Sequence, residues 1–315
     1  MERTLFEFLH NKIDSHFNLK SRVHSLNNQD HKDVNLHLKR DDELSFGISG
    51  SKYRKYSSLI LHLKKIDCKD VALVGSAYSN HLVGIMQLLN ENCINATIFT
   101  KKPREEKGNL VFLKALAKGS TWHYLSNEQW QNKDAIIQSY LKKDTFYVRE
   151  GADMIEAMPG MMSLCLDLAN SDYDHIFLDA GTGFSAISTI LSAKEFGIKA
   201  HLHVVLMADD EKLFCEKLSH YKDLLEKELG YKITPADFTL HFPSICRSFG
   251  STNEKIFSFI KAFAKDEGVF LDPIYSAKMV MSAYQIIQDQ NLIGKILLIH
   301  SGGALTLSGF LEKLI

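Results

Sequence analysis

From Val71 onward, short runs rich in β-branched and aromatic residues alternate with stretches whose apolar positions recur every three or four residues. That alternation is the pattern of βα units building mainly parallel sheets. Strands are predicted in VALV (71–74), ATIFT (96–100), TWHYL (121–125) and TFYV (145–148), enough for one small sheet. A second series, HIFLD (175–179), HLHVVLM (201–207), FTLHF (238–242) and KILLIH (295–300), predicts a larger one. Nearer the start, NLHLKRDDELSF (35–46) reads as a strand running into an acidic loop and belongs with the larger sheet. No internal repeat, low-complexity tract or proline-rich linker marks a boundary.

The stretch GISGSKYRKYSSLILHLKK (47–65) reads as a Gly/Ser loop opening into a helix. Tyr56, Leu59, Ile60 and Leu63 form its core-facing stripe, and Lys52 and Lys55 extend that stripe. Lys52, Arg54 and Lys55 share one turn at the helix start, where the macrodipole favours anions, so a compensating anion is expected nearby. Inward lysines are costly unless paired or relieved of charge; the bland alternative is that both snorkel to solvent.

In open α/β sheets, ligands sit beyond the carboxyl ends of strands, where helix N-termini offer free amides. Three loops there are short and polar. In VALVGSAYSNHL, Gly75 gives a tight turn and Ser79 can cap a helix carrying Leu82, Ile85, Met86 and Leu89, with Asn80 and His81 in its first turn. Taken alone, Ser79 and Asn80 are capping residues. In IFLDAGTGFSA, Gly181, Thr182, Gly183 and Ser185 make a turn that suits a phosphate, or the cofactor loop of a methyltransferase with Asp209 as ribose partner. In KILLIHSGGAL, a buried strand ends in His300, Ser301, Gly302 and Gly303. Between these last two, GVFLDPIYSAK places Pro273 and Tyr275 before a long helix that carries Lys278.

Composition narrows the classes. A 45% apolar and 24% charged chain of 315 residues has ample core for one large or two ordinary domains. A formal net charge of −1 gives no general attraction to nucleic acid or anionic membrane. Cys68, Cys93, Cys165, Cys215 and Cys246 are odd in number and lack CxxC or zinc-ligand spacing, which fits reduced thiols in a cytoplasm. The N-terminal stretch has no leader pattern, and no run approaches the roughly 20 apolar residues of a membrane span. His201 and His203 could imitate a metal pair, but with no third ligand evident they read as strand residues.

Taken in order, these segments resemble the D-cysteine desulfhydrase and 1-aminocyclopropane-1-carboxylate (ACC) deaminase family of pyridoxal-phosphate enzymes, of the tryptophan synthase β-like, fold-type II group. KRDDELSFGISGSKYRK resembles the family's K-R-D-D-L…G-N-K-x-R-K, and GSAYSNH its G-x-x-S-N-H. DAGTGFSA is similar to its phosphate loop, GVFLDPIYSAK to G-V-x-x-D-P-x-Y-x-G-K, and IHSGGA to H-x-G-G-A. The resemblance implies an α/β fold of two open twisted, mainly parallel sheets flanked by helices, with pyridoxal 5′-phosphate in the cleft between domains. Residues 1–55 and 165–315 would form the large domain, and 56–164 a small inserted one.

By position in these motifs, Lys52 would carry the cofactor covalently and act as catalytic base, and Lys55 would help bind its phosphate. Gly181, Thr182, Gly183, Phe184 and Ser185 would hold that phosphate, and Asn80 would bond the 3′-oxygen of the ring. Ser79 would meet the substrate carboxylate or assist proton transfer, with His81 and Phe249 beside the substrate and Tyr275 beside the ring. Ser276, with Ser301 as second candidate, would face the pyridine nitrogen. ACC deaminases have an acid directly after that tyrosine, so a neutral serine sides with desulfhydrase-like elimination from a small amino acid.

Ser51, Tyr78 and Phe249 stand where the family pattern has Asn, Gln and Tyr, and Phe249 leaves other lyase, deaminase or racemase substrates open. ACC deamination and a catalytically degenerate binding protein are the alternatives. A methyltransferase leaves the lysine cluster unexplained, and a serine β-lactamase reading of SGSK lacks any K-T-G. A homodimer is expected from the resemblance alone.

Overall fold

The computed structural model describes residues 4–27, 33–208 and 210–315; Asp209 lies outside them. Its strands are β1 (Val23–Ser25), β2 (Val34–Lys39), β3 (Asp70–Val74), β4 (Asn95–Lys101) and β5 (Thr121–Leu125). They continue with β6 (Thr145–Val148), β7 (His175–Ala180), β8 (His201–Leu206), β9 (Phe238–His241) and β10 (Gly294–Ile299). The eight strands expected from the alternation are present, with ends displaced by no more than one residue. β2 joins the larger sheet as expected and runs into 3₁₀ turns at Asp41–Gly47. β1 was not expected: three residues are too short to show a period, and it is held antiparallel against β2.

The larger sheet has the order β1-β2-β10-β7-β8-β9 and the smaller β5-β4-β3-β6. Apart from the β1–β2 pair, neighbouring strands run parallel. Helices connect them: α1 (Leu5–Lys12), α2 (Lys52–Lys65), α3 (Asn80–Glu91), α4 (Asn109–Leu116), α5 (Asn127–Gln131) and α6 (Lys133–Tyr140). Then come α7 (Met158–Asp167), α8 (Phe184–Ser192), α9 (Glu211–Leu229), α10 (Glu254–Glu267), α11 (Ser276–Asp289) and α12 (Leu311–Leu314).

Strands buried on both faces explain the unbroken apolar runs. In β7, Ile176 and Leu178 enter a core shared with α2, α3, α7 and α8, whereas Phe177 faces the other way, toward α10 and α11. The first of these cores also takes in Val71 and Leu73 of β3, so apolar packing is continuous from one sheet to the other. The stripe of Tyr56, Leu59, Ile60 and Leu63 is fully buried in it.

On the α10–α11 face, polar residues interrupt the larger sheet. His175 Nδ1 lies 3.0 Å from His203 Nε2, and His203 Nδ1 lies 3.0 Å from His241 Nε2, so one imidazole row crosses β7, β8 and β9. His203 is buried and stacks on Phe177 at a centroid distance of 4.4 Å. Burial first, then repulsion from His241, His201 and His175, pushes its pKa down to about 3. The unfolded chain takes up a proton near pH 6.5 that folded His203 refuses. The stability that His203 contributes is therefore complete above about pH 6.5 and is lost as the pH drops toward 3. Urea unfolding at pH 7.5 and pH 5 is expected to show a lower midpoint at pH 5, and His203→Phe is expected to reduce that difference, His81 supplying much of what remains.

Candidate active site

The carboxyl ends of four strands meet around the start of α2. The chain leaving β2 passes through its 3₁₀ turns to Gly50, at φ +57°, where an added Cβ would stand 2.3 Å from the Ser301 carbonyl oxygen. Glycine is required for this approach. Ser51 N–H then donates to the same oxygen at 2.9 Å, fixing Lys52 against the turn that follows β10.

Buried charge sets the direction of α2. Arg54 donates from Nε and Nη2 to both oxygens of Asp41, at 2.7 Å each, and from Nη2 to Asp167 at 2.9 Å. Lys39 pairs with Asp167 and donates to the Ser21 carbonyl, while Ser21 Oγ donates to Asp41 at 2.6 Å. Arg54 and Asp41 are both fully buried. Burial alone would raise the Asp41 pKa, but Arg54, Ser21 and Lys39 hold it below the usual carboxylate range. One of the three cations at the helix start is thus neutralised by protein carboxylates.

The other two form no ion pair with a carboxylate among the described residues. Lys55 Nζ donates to the Gly151 carbonyl at 3.1 Å and lies 5.0 Å from the ring centroid of Phe184, the first residue of α8. Burial and then repulsion from Lys52 lower its pKa to about 7, against the pull of Asp153 and Asp179. Lys52 is half-buried, 5.8 Å from the centroid of the Tyr275 ring. Its pKa is lowered by burial, opposed by Asp179 and Asp272.

The loop from Gly181 to Gly183 joins β7 to α8, whose N-cap, Gly183, lies at φ +81°, and no side chain caps that helix. An added Cβ on Gly181 would come within 3.0 Å of the Tyr275 ring, so the tyrosine lies directly against the loop. Lys217 of α9 donates to the Thr182 carbonyl at 3.0 Å. Thr182 and Ser185 are half-buried, and Phe184 is buried.

Ser79 caps α3, its Oγ accepting from His81 N–H at 3.0 Å, which leaves the hydroxyl proton free. Asn80 Oδ1 accepts from Asn109 at 2.7 Å and from Thr306 at 3.1 Å. Asn109 Nδ2 also donates to the Tyr78 carbonyl, which fixes its orientation and leaves the Asn80 amide as the outward donor. His81 is turned into the core, its Nδ1 3.0 Å from the Tyr56 hydroxyl. Burial, then Lys55 and Lys52, depress its pKa to about 3.

Two expected residues therefore stand away from the cleft. Besides His81, Ser276 is fully buried with its hydroxyl committed to the Asp272 carboxylate at 2.7 Å, because Asp272 closes the turn before α11. Ser301 is half-buried in the turn after β10, where its carbonyl accepts Ser51 N–H. Phe249 is exposed, its ring 6.0 Å edge-on from Tyr275, and Lys278 steadies its loop by donating to the Cys246 carbonyl at 2.8 Å. Asn109, Thr306 and Lys217 carry no motif in the sequence. Asp179 had one signal, a carboxylate ending an apolar strand.

A helix N-terminus without a capping side chain, two lysines that form no ion pair among the described residues, and an oriented amide donor suit an anionic ring compound at the carboxyl ends of parallel strands. The family model described as pyridoxal-phosphate dependent enzyme matches residues 18–302, and the chain belongs to that family. Its cofactor is pyridoxal 5′-phosphate, and the chain is similar to a D-cysteine desulfhydrase of Yersinia enterocolitica, 33% identical over 90 residues. That match covers 28% of this chain and 27% of the relative, so the chain spans about a quarter of that protein's length.

The crystal structure of an ACC deaminase homologue superposes with a TM-score of 0.87 at 20% identity, covering 100% of this chain and 99% of that one. A hydrogen sulfide-producing enzyme from Fusobacterium nucleatum gives 0.66 at 14%, covering 98% and 99%. These likenesses establish the fold-type II architecture of two mainly parallel sheets. No helix among the described residues is long and apolar enough to cross a membrane.

The residues present fit the cofactor: its phosphate supplies the anion that Lys55 and the start of α8 lack. Asp41→Asn is expected to destabilise the protein by about 3–5 kcal/mol, because Arg54 loses its buried counter-charge; equilibrium denaturation reads this. At pH 8 the free Lys55 is mostly neutral, and a bound phosphate restores its charge. Cofactor binding should then take up about one proton in the wild type and markedly less in Lys55→Gln, read from the buffer dependence of the binding heat.

Proposed function

We propose that the chain is a lyase acting on a small amino acid, with D-cysteine as the leading substrate and keto acid, ammonia and sulfide as products. The observation that carries this is the convergence of Lys52, Lys55, Asn80 and residues 181–185 at the carboxyl ends of β2, β3 and β7. In this reading residues 1–55 and 165–315 make the cofactor domain and 56–164 the smaller one, with α2 and α7 running across both boundaries.

Bound pyridoxal phosphate supplies an electron sink for the pair left at the α-carbon when a bond there breaks. Lys52 is the base for the α-proton: burial lowers its pKa, which favours the neutral amine able to accept one. Lys55, Thr182, Ser185 and the first amides of α8 would hold the phosphate, and the Asn80 amide would hold the ring oxygen. Ser79 offers its free hydroxyl proton to the substrate carboxylate. Tyr275 and Phe249 wall the side-chain end of the cleft, where an apolar surface suits departure of a thiolate better than a strongly hydrated group.

ACC deamination is the second reading, favoured by overall superposition on the ACC deaminase homologue. Borohydride reduction of the protein with cofactor, followed by peptide mapping, should label Lys52 and nothing in Lys52→Ala. Sulfide release from D-cysteine, with no ketobutyrate from ACC, is the expected outcome; the reverse pattern selects the deaminase. A protein that remains colourless and unlabelled sinks both.

A further inference from the structure

The loop that would receive the phosphate is backed by one face of α9. Phe214, Lys217 and Tyr221 lie three and four residues apart and so point the same way. The Phe214 ring stands within 3.1 Å of where a Cβ on Gly183 would lie, and the Tyr221 ring packs edge-on against Phe184 at a centroid distance of 5.1 Å. Lys217, between them, makes the polar contact, its Nζ donating to the Thr182 carbonyl at 3.0 Å. The same ammonium lies 3.7 Å from Asp153, whose other carboxylate oxygen accepts from the Tyr221 hydroxyl at 2.6 Å. Two residues before Asp153 stands Gly151, which accepts from Lys55 and would meet the Thr182 side chain at 3.1 Å if it carried a Cβ. One short segment after β6 therefore anchors both Lys55 and Lys217.

The direction of the Thr182 carbonyl decides the direction of the amide joined to it. The Thr182–Gly183 peptide is trans, since no bond among the described residues is cis. In a trans peptide the C=O and the following N–H point to opposite sides. With the carbonyl turned back to α9, the Gly183 N–H points away from α9. Gly183 is buried, and its N–H meets no acceptor among the described residues. A buried donor without an acceptor is costly, and at a helix start an anion satisfies it well. A flipped peptide would instead set a carbonyl oxygen where the anion belongs.

We infer that Lys217 is a positioning residue for the cofactor phosphate: it locks the Thr182–Gly183 peptide with its N–H toward the phosphate and its carbonyl away. It acts through that peptide, and Asp153 with Tyr221 holds the ammonium in place. The inference rests on the placement of the phosphate at residues 181–185 proposed above and deepens it, since α9 then takes part in recognising the phosphate.

The test is equilibrium binding to the full chain freed of cofactor, with pyridoxal 5′-phosphate and unphosphorylated pyridoxal as paired probes, each followed by absorbance. The wild type is expected to favour the phosphorylated compound. Lys217→Met is expected to raise the Kd for pyridoxal 5′-phosphate about tenfold, the size of one hydrogen bond to a charged group, and to leave that for pyridoxal within about twofold. Lys217→Arg, which can still donate to the carbonyl, is expected to stay near the wild type for both. Lys217→Gln, whose side chain is shorter, reads the same link should Lys217→Met fail to fold. An unchanged Kd for pyridoxal 5′-phosphate in Lys217→Met and Lys217→Gln overturns the inference. An equal loss for the two compounds does so as well, since it marks a general structural role. Failure of the phosphate placement reads differently: the wild type itself then binds the two compounds alike.

Discussion

The start of α2 depends on a buried set of charges that are paired within the protein. Arg54, Asp41, Asp167 and Lys39 join β2, the turns that follow it, α2 and α7. A buried ion pair is not by itself a source of stability, since desolvation offsets much of the attraction. Its geometry is nevertheless demanding, and a bidentate guanidinium allows little variation in where the helix starts. Lys52 lies two residues before Arg54 and Lys55 one after it. Satisfying the middle cation with protein carboxylates fixes the helix start while the outer two remain available to a ligand.

That division of labour accounts for the electrostatics of the cleft. Two buried ammonium groups that form no ion pair among the described residues are both driven toward neutrality, against the weaker pull of Asp179, Asp272 and Asp153. In the proposed reading the neutral state is useful at Lys52, where a free amine can serve as nucleophile and base. At Lys55 it is a strain relieved by an anion at the start of α8. On the proposed function, the same physical penalty would activate one lysine and give affinity through the other.

Much of this was legible in the sequence. The alternation of apolar runs located eight strands, and the inward stripe of 47–65 located the helix and both lysines. Ser79 as a cap and the glycine turn at 181–183 followed from local chemistry. Residues whose role depends on where the chain folds back were not legible. Asn109 and Thr306 orient Asn80 from positions 29 and 226 residues away. Ser276 follows a tyrosine in a motif, yet Asp272 four residues earlier captures its hydroxyl, a local competition that motif position does not reveal. His81 likewise lies in the right turn on the wrong face, where Tyr56 takes it.

The contact between Gly50 and Ser301 bears on how the molecule is assembled. Residues near the beginning of the chain and residues near its last strand build one wall of the cleft, and β2 pairs directly with β10. During synthesis the lysine-bearing helix emerges long before the turn against which it must rest. Until residues 294–303 are made, β2 has one flank unpaired and the surroundings of Lys52 are open to water. Closing so long a loop is slow relative to local structure. This wall of the cleft therefore forms only once β10 has been made, and nascent chains stalled short of β10 should be exposed to aggregation and proteolysis.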